Sequence, residues 1–585
     1  MELPTGTLYI LIIAVIFYCG VQIWSGTKPS YSERILRIAK ASDEELSNHS
    51  NEFNKPEIIK VTDGIYVAIG FALANSIMIE GNDSIVIVDV TESTESATEI
   101  FAAFRNITSK PVAAIIYTHN HADHTYGAQA FIEDINHPPD IWAHVGILKQ
   151  FQRVFSTVNT ATYKRAARQF GVLLPNTINA GIGHRLRYSV SGDRLGVVFP
   201  DKFVSEKETE VHIAGMDMAI IHIPGETDDQ IGVWIPERQV FLCADDVYRA
   251  FPNLYAIRGT PSRDLQQWVG SIDTIIAYKP EFLVPSHTRP VSGQQNILNI
   301  LIPYRDAIQY IHDQTVRYIN KGYQPDEIAE MVKLPSTVAE HPYLKEFYGT
   351  VQWSVKGVFT SYLGWFSGNP VDLQPLTPKV KAEKMLKLVG RDKLVESAKE
   401  AYNNKDYQWA LELSSYIVLM DKGHTEALNI KIDSLASLGA GHKSACGRNY
   451  YLTSAFEEAS ELILKRPESA KQKGIQILPI MQLFNALPSR FKPEDCENLN
   501  ETVLFQFTDS GLEILLQIRN SVAVITENRS DNYEYGVKLS IREDVFREIM
   551  QSKLRALTAY GRGELKVDSG GLMKFRSVMS CFEQD

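Results

Sequence analysis

The sequence predicts an α/β catalytic body, followed by an all-α domain and then an α+β carboxy-terminal domain. Three observations carry that expectation. Apolar runs of strand length repeatedly stop at an acid or a histidine in the first half of the chain. The pattern turns helical from about residue 296, and strand-like runs return after about residue 478. A chain of 585 residues exceeds one hydrophobic core, so several domains are expected. Apolar residues at 44% and charged residues at 22% place all of them in the ordinary globular range.

The first element is the apolar run Leu8 to Trp24, whose length at about 1.5 Å per residue just reaches across a hydrocarbon core. Tyr18 and Trp24 suit an interface, and Glu2 is the only charge before the run, so the positive start of a cleaved signal is missing. Residues 1–27 are therefore expected to be a transmembrane anchor, giving a single-pass membrane protein. Lys28, Arg34, Arg37 and Lys40 lean toward a cytoplasmic body, whereas sequons at Asn48, Asn82, Asn106, Asn500 and Asn528 would suit a lumenal one. The side of the bilayer stays open.

Residues 28–295 form the expected catalytic domain. The buried run Val112 to Tyr117 leads into His119-Asn120-His121-Ala122-Asp123-His124, more donors than one tetrahedral ion needs. His119 and His121, one residue apart in an extended loop, can turn to one ion, while Asp123 and His124 project toward a second. A surface loop with chance histidines is the bland alternative. The rest of the chain weighs against it. Met218 to Ile223 leads to Glu226, Val240 to Ala244 delivers Asp245-Asp246, and Phe282 to Val284 delivers Pro285-Ser286-His287. Donors at the carboxyl ends of neighbouring strands sit where an open α/β sheet places its chemistry.

At these residues the chain resembles the metallo-β-lactamase superfamily over roughly residues 55 to 295, which implies an αββα sandwich with the site along one edge. The resemblance assigns His119, His121 and Glu226 to a first zinc ion and Asp123, His124 and His287 to a second, with Asp245 bridging. Most of that superfamily has histidine where Glu226 stands, and a carboxylate there is similar to the alkylsulfatase branch. That branch usually bridges with glutamate, one methylene longer than Asp245. The segment Asn253-Leu254-Tyr255-Ala256-Ile257-Arg258-Gly259 with Arg263-Asp264 and Trp268 resembles its sulfate-gripping stretch. A guanidinium matches two oxygens of a tetrahedral oxyanion, so Arg258 and Arg263 would clamp the sulfate beside Asn253. Ala180-Gly181-Ile182-Gly183 is a shorter match to a loop near the family's substrate entrance.

The helical block, residues 296–460, begins at Ile297 to Pro303. It includes Tyr348-Gly349-Thr350-Val351 and Tyr362 to Pro370, which resemble the junction into the family's dimerisation domain and imply a homodimer. The family's presumed proton-donating histidine falls on Trp353 here. Indole cannot donate a proton at neutral pH, so Tyr348, His312 and His341 become the candidates. Ala398 to Ala410 reads as a tetratricopeptide-like helix pair, equally well explained as plain helix packing. The runs Thr502–Phe507, Leu512–Ile518 and Val522–Ile525, with a helix near 541–550, place residues 470–585 in an α+β domain. It resembles the sterol-carrier-like end of alkylsulfatases, which would enclose an apolar groove. Five scattered cysteines show no disulfide framework.

A net charge of -11 and the lack of a basic, aromatic-interleaved run argue against nucleic acid as a partner. The same charge repels a sulfated amphiphile at long range, so local arginines must capture it. The resemblance thus implies a hydrolase of alkyl sulfate esters carrying two Zn2+ per chain, with Asp123 and Asp245 beside the reacting group. Two divalent cations would acidify a water and stabilise the developing anion. A metallo-hydrolase of a phosphate, thioester or lactone, and a lipid- or partner-binding protein with a residual metal site, stay open as alternatives.

Overall fold

The computed structural model describes residues 30–40, 44–187, 194–465, 468–527 and 535–583. Two sheets build the catalytic body. The first runs in sequence order through Glu57–Thr62, Ile65–Ile69, Ser76–Glu80 and Ile85–Val88 as an antiparallel meander. It continues with parallel neighbours Val112–Ile116, Asp140–His144 and Lys202–Val204. The second holds Glu208–Ile213, Met216–His222, Ile231–Ile235 and Val240–Ala244 as a meander, then Phe282–Pro285 parallel to Val240–Ala244, and Val291–Ser292 at the edge.

Side-chain alternation explains why these strands read as continuous apolar runs. Ile77, Ile79, Val86, Val88, Ala114 and Ile116 point inward against Ile220, Val233, Leu242 and Val284 of the facing sheet. Their neighbours Met78, Ile87 and Ile115 point outward, beneath Ile100 and Phe104 of helix Thr94–Arg105. On the far side Ile221, Phe241 and Leu283 meet Trp268 and Ile272 of helix Leu265–Tyr278 and Leu301 and Ile308 of helix Gln294–Ile319. Both faces of both sheets are therefore covered, an αββα sandwich.

A second compact unit comprises helix Tyr31–Ala39 with Pro378–Val389, Arg391–Asn403, Tyr407–Met420 and Thr425–Gly441. Its core is Leu394, Ala398, Ala401, Ala410, Leu413 and Ile417. The tetratricopeptide-like stretch is a helix pair, turned at Lys405 with φ 64° and capped by Asp406, whose carboxylate accepts from Trp409 N at 3.3 Å. Tyr31 Oη donates to Asn429 Oδ1 at 2.9 Å, and Arg34 pairs with Asp433.

The carboxy-terminal domain is a five-stranded sheet in the order Val522–Glu527, Glu513–Arg519, Glu501–Phe507, Val537–Ile541, Leu565–Ser569, covered by helices that include Glu543–Met550 and Leu572–Met579. A disulfide joins Cys496 to Cys581 with Cα atoms 5.9 Å apart, a single bridge that the scattered cysteine spacing did not reveal. The two cysteines lie 85 residues apart in sequence, and an isolated antiparallel bridge pairs Phe491 with Phe582 next to Cys581.

The membrane expectation is also corrected. No helix among the described residues is long and apolar enough to cross a membrane, so neither the single-pass localisation nor the membrane as a partner stands. Helix Gln294–Ile319 has the length, but Arg305, Asp306, Asp313 and Arg317 lie along it. The run Leu8 to Trp24, and with it the proposed transmembrane helix, lies outside the described residues.

Candidate metal centre and anion pocket

Parallel pairing decides where the donors meet. Ile85–Val88 runs parallel to Val112–Ile116, and Val240–Ala244 to Phe282–Pro285, so within each sheet the carboxyl ends of the paired strands lie together. At those ends the chain leaves the strands through left-handed non-glycine residues: Asp89 at φ 60°, Ala244 at φ 50° and Thr288 at φ 64°. Each such residue costs on the order of 1–3 kcal/mol and persists where the surroundings over-determine it, as at functional sites.

The donors form two groups. His119, His121 and Asp245 make one, and Asp123, His124 and His287 the other, each with ligand atoms within 4.8 Å of one another. Asp245 Oδ2 lies 3.9 Å from His119 Nε2, 3.5 Å from His124 Nε2 and 3.3 Å from His287 Nε2, which places it between the groups. Asp123 Oδ2 is 3.5 Å from His124 Nε2 and 3.4 Å from His287 Nε2. Glu226 Oε1 stands 4.0 Å from His121 Nδ1, beside the first group but outside its mutually close donors.

A second layer orients the rings. Thr118 Oγ1 lies 3.0 Å from His119 Nδ1, Asp89 Oδ2 accepts from His124 Nδ1 at 2.7 Å, and the Leu73 carbonyl accepts from His287 Nδ1 at 3.0 Å. All three therefore turn Nε2 to the centre, while His121 presents Nδ1. Asp89 also accepts from Thr118 N and Oγ1 at 2.9 Å and from Ser286 Oγ at 2.7 Å. Buried Glu92 holds Leu73 N between its two oxygens at 3.2 Å and accepts from Arg187 N at 2.7 Å, and burial pushes its carboxyl up to about 7. Asp89, Glu92 and Tyr248, whose hydroxyl donates to Glu226 Oε2 at 3.2 Å, were not singled out from the sequence. Asp89 had a readable signal: it follows Ile85-Val86-Ile87-Val88 just as the other donors follow their apolar runs.

Chemistry and burial fit cations. His124 Nε2, His287 Nε2 and Asp245 Oδ1 are buried without a hydrogen-bond partner, which buried polar atoms rarely tolerate. Burial, reinforced by neighbouring cationic groups, holds His119 and His121 well below the usual imidazole range, so both offer lone pairs. Burial alone would raise Asp245, but His287 and His124 outweigh it and hold the carboxyl well below its ordinary range. Glu226 is raised by burial, with Arg263 opposing.

A cavity of about 130 Å³ opens beside these groups, lined by His121, Asp123, Glu226, Asp245, Arg258, Arg263 and Tyr348 among others. Arg258 Nη2 is 3.0 Å from His121 Nε2, and its Nη1 has no partner. Arg263 Nη2 forms an ion pair with Glu226 Oε1 at 2.8 Å and Nη1 donates to the Asn253 carbonyl, while its Nε, like Arg258 Nη1, has no hydrogen-bond partner. Asn253 itself does not line the cavity; it backs Arg263 and donates its N–H to Tyr248 Oη at 2.9 Å.

Three side chains from residues 153–169 hold the Arg258 loop by its backbone. Arg165 donates to the carbonyls of Ile257 and Arg258 at 2.6 and 2.9 Å, Arg153 donates to that of Gly259 at 3.0 Å, and Gln169 Oε1 accepts from Arg258 N at 3.1 Å. Gly181, at φ 89°, passes so close to Phe347 that a Cβ would fall 2.5 Å from its carbonyl oxygen, and Ile182 reaches the cavity wall.

Of the proton-donor candidates, Tyr348 lines the cavity, whereas His312 bonds Tyr362 Oη at 2.8 Å and His341 caps Tyr343 N at 3.3 Å. Trp353 stacks on His442 with centroids 5.5 Å apart and is not among the cavity-lining residues.

Comparisons with known proteins agree across the chain. Residues 69–287 match the metallo-beta-lactamase superfamily, residues 324–461 the alkyl sulfatase dimerisation family and residues 468–585 the alkyl sulfatase C-terminal family. A linear primary-alkylsulfatase from a Pseudomonas species is 34% identical over 525 residues, covering 86% of this chain and 98% of that protein. An alkyl/aryl-sulfatase of Saccharomyces cerevisiae is 27% identical, covering 90% and 82%. In fold, a solved stereoselective inverting sec-alkylsulfatase from Pseudomonas sp. superposes with a TM-score of 0.88 at 24% identity, covering 95% of this chain and 88% of that one. The donors at the strand ends, the three domains in order and the full-length likeness together show that this chain belongs to the alkylsulfatase family of the metallo-beta-lactamase superfamily.

Proposed function

We propose that this protein hydrolyses alkyl sulfate esters, releasing sulfate and an alcohol. The observation that carries the reading is one buried carboxylate, Asp245, between two imidazole-rich donor groups, with the unpaired Nη1 of Arg258 beside the same small cavity. Two zinc ions fit the donors: His119, His121 and Glu226 would hold the first, Asp123, His124 and His287 the second, and Asp245 both. When bound, such ions acidify a water and stabilise negative charge on the ester.

The chain's own residues do the rest. Arg258 binds the sulfate oxygens through its free N–H groups, and Arg263, fixed by Asn253, neutralises Glu226 and adds positive potential at the same wall. Burial raises the Tyr348 phenol well above its ordinary range, so it keeps its proton at neutral pH beside the head group and can hold that proton toward the leaving oxygen. Phe170, Ile182 and Leu186 give the cavity an apolar wall for the first carbons of the alcohol. The match to the dimerisation family supports a homodimer.

Release of free sulfate from dodecyl sulfate by the zinc-loaded protein tests the proposal. Turnover of phosphate or thioester analogues with no sulfate release would replace it with another metallo-hydrolase activity.

A further inference from the structure

Residues 153–157 form a single π-helical turn, Arg153–Thr157, and its Phe155 is the feature that the catalytic reading leaves without a role. A π-turn inserts a residue into a helix and is often kept where a side chain must be aimed. Here Phe155 is buried and lines two separate volumes. On one side is the catalytic cavity of about 130 Å³; on the other is a cavity of about 420 Å³ within the carboxy-terminal domain, walled by Phe484, Phe505, Phe546 and Met550. Asn159, whose Nδ2 donates to the Phe155 carbonyl at 2.8 Å, borders both as well.

The catalytic cavity is smaller than the roughly 300 Å³ at which ordinary ligand pockets begin, so a head group and a few carbons fill it. The larger apolar volume begins on the far side of one ring. That ring is fixed on the catalytic side by stacking on Tyr126 at 5.5 Å, and on the other side it meets Gly474, where a Cβ would come within 3.8 Å of its edge. Two residues earlier Arg153 ties the same turn to the Arg258 loop.

We propose that Phe155 is the chain-length determinant of this enzyme: the alkyl tail of a substrate whose sulfate is held at Arg258 passes this ring into the carboxy-terminal cavity, and the bulk at position 155 sets which tails can cross. The inference rests on the alkyl sulfate reading above. Its source is the shared wall of two cavities, and short tails that end before the ring should not sense it.

The test uses full-length, zinc-loaded protein and two non-hydrolysable probes, hexane-1-sulfonate and dodecane-1-sulfonate, with binding measured by calorimetry and sulfate release measured in parallel on the matching sulfates. Each buried methylene contributes about fourfold in affinity, so blocking even two of them changes the dodecyl-to-hexyl ratio by more than about tenfold. Phe155→Trp should lower that ratio by at least that much, and Phe155→Ala should raise it or leave only the hexyl probe weakened. Ile549→Trp, which fills the cavity from the carboxy-terminal side, should lower the ratio even if the Phe155 variants do not fold. A ratio within about twofold of wild type in Ile549→Trp, or in both Phe155 variants when folded, overturns the proposal while leaving the hydrolase reading intact. A wild-type protein that binds neither sulfonate and releases no sulfate overturns both.

Discussion

Removing the Arg258 guanidinium is the sharpest test of how the head group is held. The residue is only 8% exposed, its Nη1 has no hydrogen-bond partner, and its loop is pinned through three consecutive carbonyls, so it cannot relax far. One charge-assisted hydrogen bond in such a setting is worth about 1.5–3 kcal/mol, which predicts a loss in kcat/KM of about 10- to 150-fold for Arg258→Ala on dodecyl sulfate. Arg258→Lys keeps the charge but loses the planar donor pair, so a smaller loss is expected. The assay is sulfate release over a concentration series, with inhibition by dodecane-1-sulfonate and by uncharged dodecanol, and with zinc content measured because Arg258 also touches His121. If sulfonate and dodecanol weaken equally, or if kcat/KM falls less than about threefold with zinc retained, the guanidinium is not what binds the anion.

Three further outcomes are expected. Asp245→Asn removes the charge that both donor groups share, so bound zinc should drop below two per chain and sulfate release should reach background; two retained zinc ions would separate Asp245 from the metals. His49, stacked on Phe347 at 4.4 Å and bonded to the Gly181 carbonyl at 2.8 Å, is lowered by burial to about 4. The unfolded chain therefore takes up the proton first as pH falls, and stability is lost from about pH 6.5 down to about 4, by at most about 3 kcal/mol; His49→Gln should flatten that slope in urea melts, and an unchanged slope would clear His49. Finally, the bridge between Cys496 and Cys581 closes a long loop, so reduction or Cys496→Ser should destabilise the carboxy-terminal domain by about 2–4 kcal/mol, with no shift in its thermal unfolding being the contrary result.

Much of the catalytic fold was legible because its sheets are buried on both faces, which leaves apolar runs such as Ile85-Val86-Ile87-Val88 and Val240 to Ala244 with no polar alternation to confuse them. The candidate donors that the structure gathers into two groups were legible for the same reason, since they follow such runs. The membrane anchor was the opposite case. It was read from the length of an apolar run, its flanking Tyr18 and Trp24 and the lack of a positive start, and no helix of the described residues is long and apolar enough to span a membrane. The disulfide was missed because a pairing across 85 residues leaves no local spacing to read.

What the sequence alone determined was the local chemistry: three imidazoles and a carboxylate within six residues from His119 to His124, a carboxylate at Glu226, an acid at Asp245 and an arginine at each of positions 258 and 263. Only the tertiary structure decided which of these act together. It put Asp245 between the two donor groups, turned Arg263 onto Glu226 while leaving Arg258 Nη1 free, brought Tyr348 to the cavity and stacked Trp353 on His442 instead. The physical reason is that composition and periodicity fix what a short segment can donate or bury. Distances of 3 to 4 Å between segments more than a hundred residues apart depend on strand pairing and on the left-handed turns at the strand ends, which no local pattern encodes.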